Sequence, residues 1–345
     1  MNGNTLRDML LEAGVEVLDR GHGVAKGNFN IHCPLCGAAD QGHHMGINID
    51  KGWWGCWRNA EHRGKSPVRL MVAALGKPVW EVRRMLGIRD TPDPGAFDGL
   101  RARLLSSAAP PQETGANAPK QPSLVLPSDF HAFDPRRVTA AGRKFVEYVQ
   151  GRGFTGSAFA DVAHDYSLRY AFRGPFKDRV ILPYTYRGAV VTWTGRSVFA
   201  AERLRYRDLE QAESVIFKNE VLFNYDAASM GGRALVVLEG PFDVVKGDYA
   251  GRVHGVRCVG LSTNNFSDAQ LTQIAELSDA FEHVYIGMDT ATSFDKMASY
   301  RMLAKMRGAV DARTVPGIET LGKDVGGASI RAVSTLFRSL ANEPL

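Results

Sequence analysis

The stretch that decides the fold is VVLEGPFDVVKG, residues 236–247. A continuous apolar run, Ala234–Leu238, stops abruptly at Glu239-Gly240, and Asp243–Tyr249 then reads as helix. An apolar run of this length bounded by a turn signal is a strand buried on both faces, as in a parallel sheet. It leaves Glu239 just past the strand's carboxyl end, where side chains face the ligand crevice of an open α/β sheet, with Asp243 one helical turn later.

Working outward, the same rhythm repeats. Val256–Val259 and His283–Met288 read as two more buried strands, a helix is expected at about Phe294–Arg307, and a short strand at Asp311–Val315. Strand, helix, strand, helix, strand is the pattern of a parallel α/β sheet. The second of these strands runs into VYIGMDTATSFDK, which places Asp289 at a strand end with Asp295 close behind. GKDVGG then supplies Asp324 after a third strand. Carboxylates converging at sheet ends are what a Mg²⁺ or Mn²⁺ site needs: hard oxygen ligands with positions left for water and phosphate. The competing reading of each acid is a helix N-cap or a solvated loop residue; three at equivalent strand ends favour the metal. Upstream, helices are expected at Ala140–Gly151 and Ser157–Val162, and strands at Arg179–Tyr184, Ala189–Arg196 and Val215–Phe217.

The N-terminal 90 residues differ. A short amphipathic helix opens them, followed by a Cys/His-bearing stretch with strands at Met45–Ile49 and Trp53–Cys56 about the turn Asp50-Lys51-Gly52. Beyond Ser66 the spacing becomes helical, with Pro67 in a first-turn position and a second helix over Val79–Leu86. Cys33-Pro-Leu-Cys36 is a CxxC knuckle; nineteen residues separate it from Cys56, and five more precede His62. A CxxC turn offers two thiolates to one ion, and a second pair from the far end of a hairpin completes a tetrahedral zinc cage. His32, His43 and His44 compete for the fourth place, and His62 ranks first because it sits where a ribbon's closing ligand belongs. Four protein ligands make the metal structural rather than catalytic. Trp53, Trp54 and Trp57 flank the third cysteine and divide between the small core of such a module and rings for stacking on unpaired bases.

Between the two parts, residues 91–125 are rich in Pro, Ala, Ser, Gly and Gln and read as a flexible linker with one short helix at about Phe97–Leu105. The organisation expected is therefore a zinc module over 1–90, a linker over 91–125, a first catalytic subdomain over 126–230 and a parallel-sheet subdomain over 231–345. Composition agrees with folded domains: 44% hydrophobic and 23% charged residues. Forty-two Lys and Arg against 37 Asp and Glu, a net charge of +5, suit a polyanion-binding protein but do not demand one. The absence of a long apolar run and of a signal-peptide pattern points to a cytoplasmic protein without membrane contact. Three of the four cysteines within 24 positions, in a reducing compartment, favour metal over disulfides.

These two constellations, in this order, resemble the bacterial and phage DNA primase family, in which a zinc-binding domain precedes an RNA polymerase core containing a TOPRIM sheet. Glu239-Gly240 and Asp243 match that family's EG-x-x-D motif, and Asp289 matches the first member of its Asp-x-Asp pair. The second member is absent: position 291 is Ala. Asp295 lies four residues beyond position 291 and Asp324 stands in for the further acidic position. FKDRVILPY, VVTWTGRSV and IFKNEVLFN resemble the polymerase subdomain, with Arg179, Arg196 and Lys218 in place of residues that the family uses on template, nucleotide triphosphates or nascent primer. GRKFVEYVQGRGF resembles a helical piece found just upstream.

The resemblance implies an α/β fold: a zinc-ribbon-like domain linked to a TOPRIM-containing primase core. It also implies synthesis of short RNA primers on single-stranded DNA, with structural Zn²⁺ at Cys33, Cys36, Cys56 and His62. Catalytic Mg²⁺ or Mn²⁺ would sit at Glu239 and Asp289. The partners implied are single-stranded DNA, nucleoside triphosphates and a replicative helicase carried on another chain, since no GxxxxGK[ST] loop occurs. A bacterial cytoplasm is implied, with a phage or mobile-element origin open. Two other classes stay in view: a non-catalytic single-stranded-DNA-binding adaptor with Ala291 as its mark, and a TOPRIM nuclease.

Overall fold

The computed structural model describes residues 3–21, 23–48, 51–88, 122–134, 138–263, 266–289, 303–304, 306, 308–322 and 324–342. The chain divides into two compact units. The first comprises residues 1–90 with 229–232 and 276–282, and the second comprises 91–228, 233–275 and 283–345.

The first unit begins with helix α1 (Gly3–Glu12), whose Leu6 and Leu10 are fully buried. Five short antiparallel strands follow in chain order: β1 (Val17–Leu18), β2 (Phe29–Ile31), β3 (Met45–Asn48), β4 (Trp53–Cys56) and β5 (Arg63–Gly64). Strand β4 alternates as a one-sided strand should: Trp53 is exposed, while Trp54 and Cys56 are buried. Trp54 is the centre of this small core. Its indole N–H donates to the Ser66 carbonyl at 2.9 Å, and the Arg69 guanidinium lies 5.1 Å over its ring. A side chain at Gly64 would meet that ring at 2.6 Å, so only glycine fits there. Helix α2 (Pro67–Leu75) starts where Ser66 Oγ accepts from the Arg69 N–H at 3.1 Å, has Pro in its first turn, and stops at Gly76 with φ 61°. Helix α3 (Val79–Met85) follows, with Val79 and Val82 buried.

The second unit holds two sheets. One is an antiparallel meander, β6 (His131–Ala132), β7 (Arg169–Ala171), β8 (Arg179–Tyr186), β9 (Ala189–Ser197) and β10 (Tyr206–Asp208). Helices α4 (Arg143–Gly151) and α5 (Ser157–Asp165) precede β7. The strand expected at Val215–Phe217 does not form. The Val215 and Ile216 N–H groups both donate to the Val191 carbonyl, at 2.9 and 3.4 Å, which is not a strand ladder.

The other sheet is parallel throughout, in the order β12 (Val256–Gly260), β11 (Ala234–Leu238), β13 (His283–Gly287), β14 (Ala312–Thr314). Every residue of β11 and β13 is buried, which accounts for their unbroken apolar reading. A short helix, α6 (Tyr225–Ala228), leads into β11; α7 (Pro241–Gly251) connects β11 to β12, and α8 (Asp268–Ser278) connects β12 to β13. A C-terminal helix, α9 (Ile330–Ala341), packs on α7. Its buried Val333, Phe337, Leu340 and Ala341 recur at helical spacing. The sequence reading passed over α8 and α9. Phe337 packs against two glycines of α7, the interior Gly247 and the last residue, Gly251. A Cβ at Gly251 would lie 2.8 Å from its ring, and one at Gly247 would lie 3.2 Å from it and 2.9 Å from Cys258 Sγ. An interior glycine costs about 1 kcal/mol of helix propensity. Burying a Phe recovers roughly 1.5–3 kcal/mol. The helix over Phe97–Leu105 lies outside the described residues, as does most of that over Phe294–Arg307.

Candidate functional site: a closed cysteine–histidine cage and an acidic strand-end cleft

In the first unit the CxxC knuckle is a turn in which the Cys36 and Gly37 N–H groups both donate to the Cys33 carbonyl at 3.1 Å. Gly37 takes φ 56° to complete it. The second half of the cage is closed by backbone: the Cys56 N–H donates to the His62 carbonyl at 2.8 Å, folding residues 57–61 into a loop. The result brings the donor atoms of Cys33, Cys36, Cys56 and His62 within 4.8 Å of one another. His62 Nδ1 stands 3.5 Å from Cys33 Sγ and 3.2 Å from Cys36 Sγ, and Cys36 and Cys56 sulfurs are 3.9 Å apart. A tetrahedral ion with ordinary zinc bond lengths requires edges of about 3.8 Å between sulfurs and about 3.5 Å between sulfur and nitrogen. The donor set and its spacing therefore suit structural zinc.

Burial pushes the Cys33 thiol up to about 12. A cation among the four groups reverses that, because a coordinated thiol is deprotonated outright. Behind the cage, Asp40 accepts the Cys33 N–H at 2.5 Å and pairs with His44. Burial acts to raise its pKa, but these partners win and hold the carboxyl at about 2. That engagement takes His44 out of the contest for the fourth ligand position.

In the second unit, strand order places the acids. The chain leaves β11 for β12 on one side, then crosses to β13 on the other, so the strand order reverses between β11 and β13. Ligands bind outside the carboxyl ends of strands at such a switch point. Leu238 pairs with Gly287 across it, so Glu239 and Asp289 emerge from the two strands that flank the crevice. Both are half-buried. Ala291 and Asp295 lie outside the described residues.

Asp243 is held on both oxygens: one accepts the Gly240 N–H at 3.1 Å, the other the Gly326 N–H at 2.7 Å. A Cβ at Gly240 or Gly326 would approach the carboxylate to 2.5 or 2.6 Å, which is why both positions are glycine. Burial and the neighbouring Asp324 charge raise the Asp243 pKa. One turn further along α7, Lys246 donates to the Gly326 and Ala328 carbonyls, both at 2.7 Å. Asp243 and Lys246 thus grip the 324–328 loop by its amide and carbonyl groups. That loop carries Asp324, whose own carboxylate accepts the Gly327 N–H at 2.5 Å. Burial, aided by the Arg152 charge, pushes the Lys246 ammonium down to about 8. Among the described residues, these four carboxylates are not gathered as tightly as the first unit's cage.

A cleft of about 650 Å³ opens beside the loop, lined by Tyr148, Arg152, Lys246, Asp324 and Gly326 among others. Sequence reasoning missed its cationic rim, although the matched segment GRKFVEYVQGRGF contains two of the residues. The Tyr148 hydroxyl accepts from Arg152 Nε at 3.1 Å and from Arg196 Nε at 3.0 Å. The Arg152 guanidinium lies 4.3 Å over the Phe242 ring and that of Arg196 4.7 Å over the Tyr206 ring, its cross-strand neighbour. Two cations are thereby fixed by stacking and by the one hydroxyl that accepts from both Nε–H groups. Arg179 is placed differently. It is buried, and its guanidinium donates to the Gly195, Leu204 and Arg205 carbonyls at 3.1, 2.9 and 3.3 Å. Lys218 pairs with Asp208 at 2.7 Å.

No protein-family model matches the chain. Comparison by sequence finds bacterial DNA primases. A DNA primase of Staphylococcus aureus (strain COL) is 29% identical over 185 residues, covering 43% of this chain and 30% of that protein. One of Mycoplasma pneumoniae is 28% identical over 133 residues, covering 38% and 20%. The alignments thus cover less than a third of these relatives' length. Among solved structures, the zinc-binding and RNA polymerase domains of the Aquifex aeolicus primase match 98% of this chain and 82% of that one, at 16% identity and TM-score 0.44. The primase fragment of the bacteriophage T7 primase-helicase protein matches 64% and 83%, at 16% identity and TM-score 0.40. The class defined by fold and site is a mixed α/β protein that joins a cysteine–histidine metal module to a parallel sheet with acids at its switch point. In sequence, the chain is similar to the DnaG-type bacterial DNA primases.

Proposed function

We propose that the chain is a DNA primase, joining ribonucleotides into short primers on single-stranded DNA. The observation that carries this reading is the placement of Glu239 and Asp289 at the β11/β13 switch point, in the same unit as a cleft lined by Arg152, Lys246 and Asp324 whose Tyr148 hydroxyl also accepts from Arg196. Carboxylates together with fixed cations suit a nucleoside triphosphate, whose phosphates need both divalent metal and positive charge. Glu239 and Asp289 offer the oxygen ligands that Mg²⁺ or Mn²⁺ takes. When bound, such an ion neutralises triphosphate charge and lowers the pKa of the attacking hydroxyl. Asp324 and Asp295 are further acids available to it.

The chain's own residues divide the remaining work. Asp243, engaged on both oxygens, positions the 324–328 loop instead of reaching substrate, and Lys246 does the same from the carbonyl side. Arg196 and Arg152 hold phosphate. Lys218, paired with Asp208, is placed to exchange that partner for a phosphate or the primer strand. Arg179 shapes the segment that carries Leu204 and Arg205, and acts on the template through it. In the zinc module Trp53 and Trp57, 40% and 54% exposed, are the rings available for stacking on unpaired template bases, whereas Trp54 is core. Residues 91–125 tether the module so that it can deliver template. The same reading assigns a bacterial cytoplasmic setting and a separate replicative helicase as partner; no helix among the described residues is long and apolar enough to cross a membrane.

The test is primer synthesis on mixed-sequence single-stranded DNA with labelled ribonucleotides and either Mg²⁺ or Mn²⁺, with Glu239→Ala alongside. Short labelled products that vanish in the variant are expected. No product with either metal, while DNA binding is intact, would replace this reading by a DNA-binding adaptor that lacks the chemistry.

A further inference from the structure

Two of the histidines that compete in sequence for the zinc cage are not used by it. His32 follows β2 directly, and His43 lies two residues before β3. Each meets Glu16, which immediately precedes β1. Glu16 Oε2 is 3.6 Å from His32 Nε2, and Glu16 Oε1 is 3.4 Å from His43 Nε2. The two imidazole rings have centroids 4.2 Å apart. All three donor atoms lie within 4.8 Å of one another, a spacing that among the described residues recurs only at the cysteine cage. We propose that Glu16, His32 and His43 form a second metal site in the first unit, for a divalent ion of the zinc type.

Strand pairing brings the three ligands to one end of the sheet. β1 pairs with β2 at Val17 and Ile31, so the next step of that register sets Glu16 opposite His32. β2 pairs with β3 at Ile31 and Met45, which carries His43 to the same end. The backbone at His43 is fixed, because the Asn30 side-chain amide donates to its carbonyl at 3.1 Å. The decisive atom is His43 Nε2. It is shielded from solvent and has no hydrogen-bond partner, even with a carboxylate oxygen 3.4 Å away. Buried ring nitrogens are normally satisfied. A cation between it and Glu16 satisfies both groups at once.

The ligand chemistry selects the ion. Two imidazoles and one carboxylate form the His₂Glu set that binds Zn²⁺ with a fourth position left open, and imidazole is a poor ligand for Mg²⁺ or Ca²⁺. Three exposed-to-half-buried protein ligands leave that fourth position to solvent or to an oxygen of a bound anion. The cysteine cage, with four protein ligands, has no such position. The module thus holds a closed site and an open one on the same small sheet.

The experiment is metal stoichiometry of the full chain after equilibration with excess Zn²⁺ and gel filtration, read by elemental analysis. Wild type is compared with Glu16→Gln and with the double variant His32→Ala/His43→Ala. Each variant should carry one zinc fewer than wild type. Loading with Co²⁺ separates the sites spectroscopically. The cysteine cage gives an intense sulfur-to-metal charge-transfer band, and the second equivalent adds only weak absorption without it. Retention of the charge-transfer band in the variants shows that the cage and its fold are intact. An unchanged zinc count in both variants, or a second cobalt equivalent that persists in them, overturns the proposal.

Discussion

In the first unit four donor atoms stand within 4.8 Å of one another; among the described residues of the second unit the strand-end carboxylates are spread, and Asp243 and Asp324 accept from backbone amides. The difference fits the role proposed for each site. A closed cage of thiolates and imidazole is part of the fold, and short-range turns build it: a CxxC knuckle and a backbone bond from Cys56 to His62. A site for phosphate chemistry must stay open, and its ligands are supplied by strands that meet only through long-range pairing. The cage is therefore a matter of stability and the cleft a matter of positioning, and each can be broken separately.

The largest effect is expected in the cage. Cys56→Ser, or chelation, removes an interaction worth roughly 10–16 kcal/mol in small zinc modules, against a total stability of about 5–15 kcal/mol for a domain. Zinc content should fall and Trp54 fluorescence shift to that of an exposed indole, while the second unit keeps its own melting transition. A shared single transition would dissolve the distinction between the regions.

Next comes Glu239→Ala. It should lower primer synthesis on the order of 10²–10³-fold, the usual cost of removing one group that stabilises developing charge. The melting temperature should barely move, since the side chain is only half-buried.

Lys246→Met sharpens the comparison, because it tests positioning without touching a metal ligand. The loss of two charge-assisted hydrogen bonds, each about 1.5–3 kcal/mol, is offset by removing a buried charge, so stability should change by only ~1–2 kcal/mol. Primer synthesis should nevertheless drop at least about tenfold as the Asp324 loop loosens. The pH dependence has a definite sign. The pKa of Lys246 in the folded chain, about 8, lies below the 10.5 of a freely solvated lysine. Between these values the unfolded chain binds the extra proton, so stability from this group rises with pH across that window. The difference in unfolding free energy between wild type and Lys246→Met should therefore shift toward wild type between pH 8 and 10.5, by at most roughly 3 kcal/mol. A flat difference in urea unfolding across that range would show that Lys246 is not held as described.

Smaller effects separate the tryptophans and the hydroxyl. Trp57→Ala should weaken single-stranded DNA binding by ~1–2 kcal/mol with no change in melting, whereas Trp54→Ala should destabilise the module by ~3–5 kcal/mol. Tyr148→Phe removes the acceptor shared by Arg152 and Arg196. A hydrogen bond from a charged donor is worth about 1.5–3 kcal/mol, so KM for nucleotide should rise at least about tenfold while kcat holds.

Sequence and structure agree best where the signal is local. The knuckle, the hairpin about Trp53–Cys56, the strand-to-turn break at Glu239 and the Pro67 helix start are each encoded within a few residues, by ligand spacing, alternation or capping. The three tryptophans were indistinguishable by type and were sorted only by the pleat of β4 and the turn after it. Arg179, Arg196 and Lys218 looked alike as basic residues of matched segments; burial turned the first toward carbonyls and left the second stacked beside the cleft. Asp243 could not be told from Glu239 by spacing, since the amide that claims its second oxygen comes from Gly326, 83 residues away.

The sequence by itself determined the chemistry available: three thiolates and a histidine at zinc spacing, carboxylates at the ends of apolar runs, and an order of segments similar to that of bacterial DNA primases. Tertiary structure decided which of those groups are spent on the fold and which remain for function. Hydrogen-bond partners, burial and strand order are properties of residues distant in the chain, and no local pattern records them.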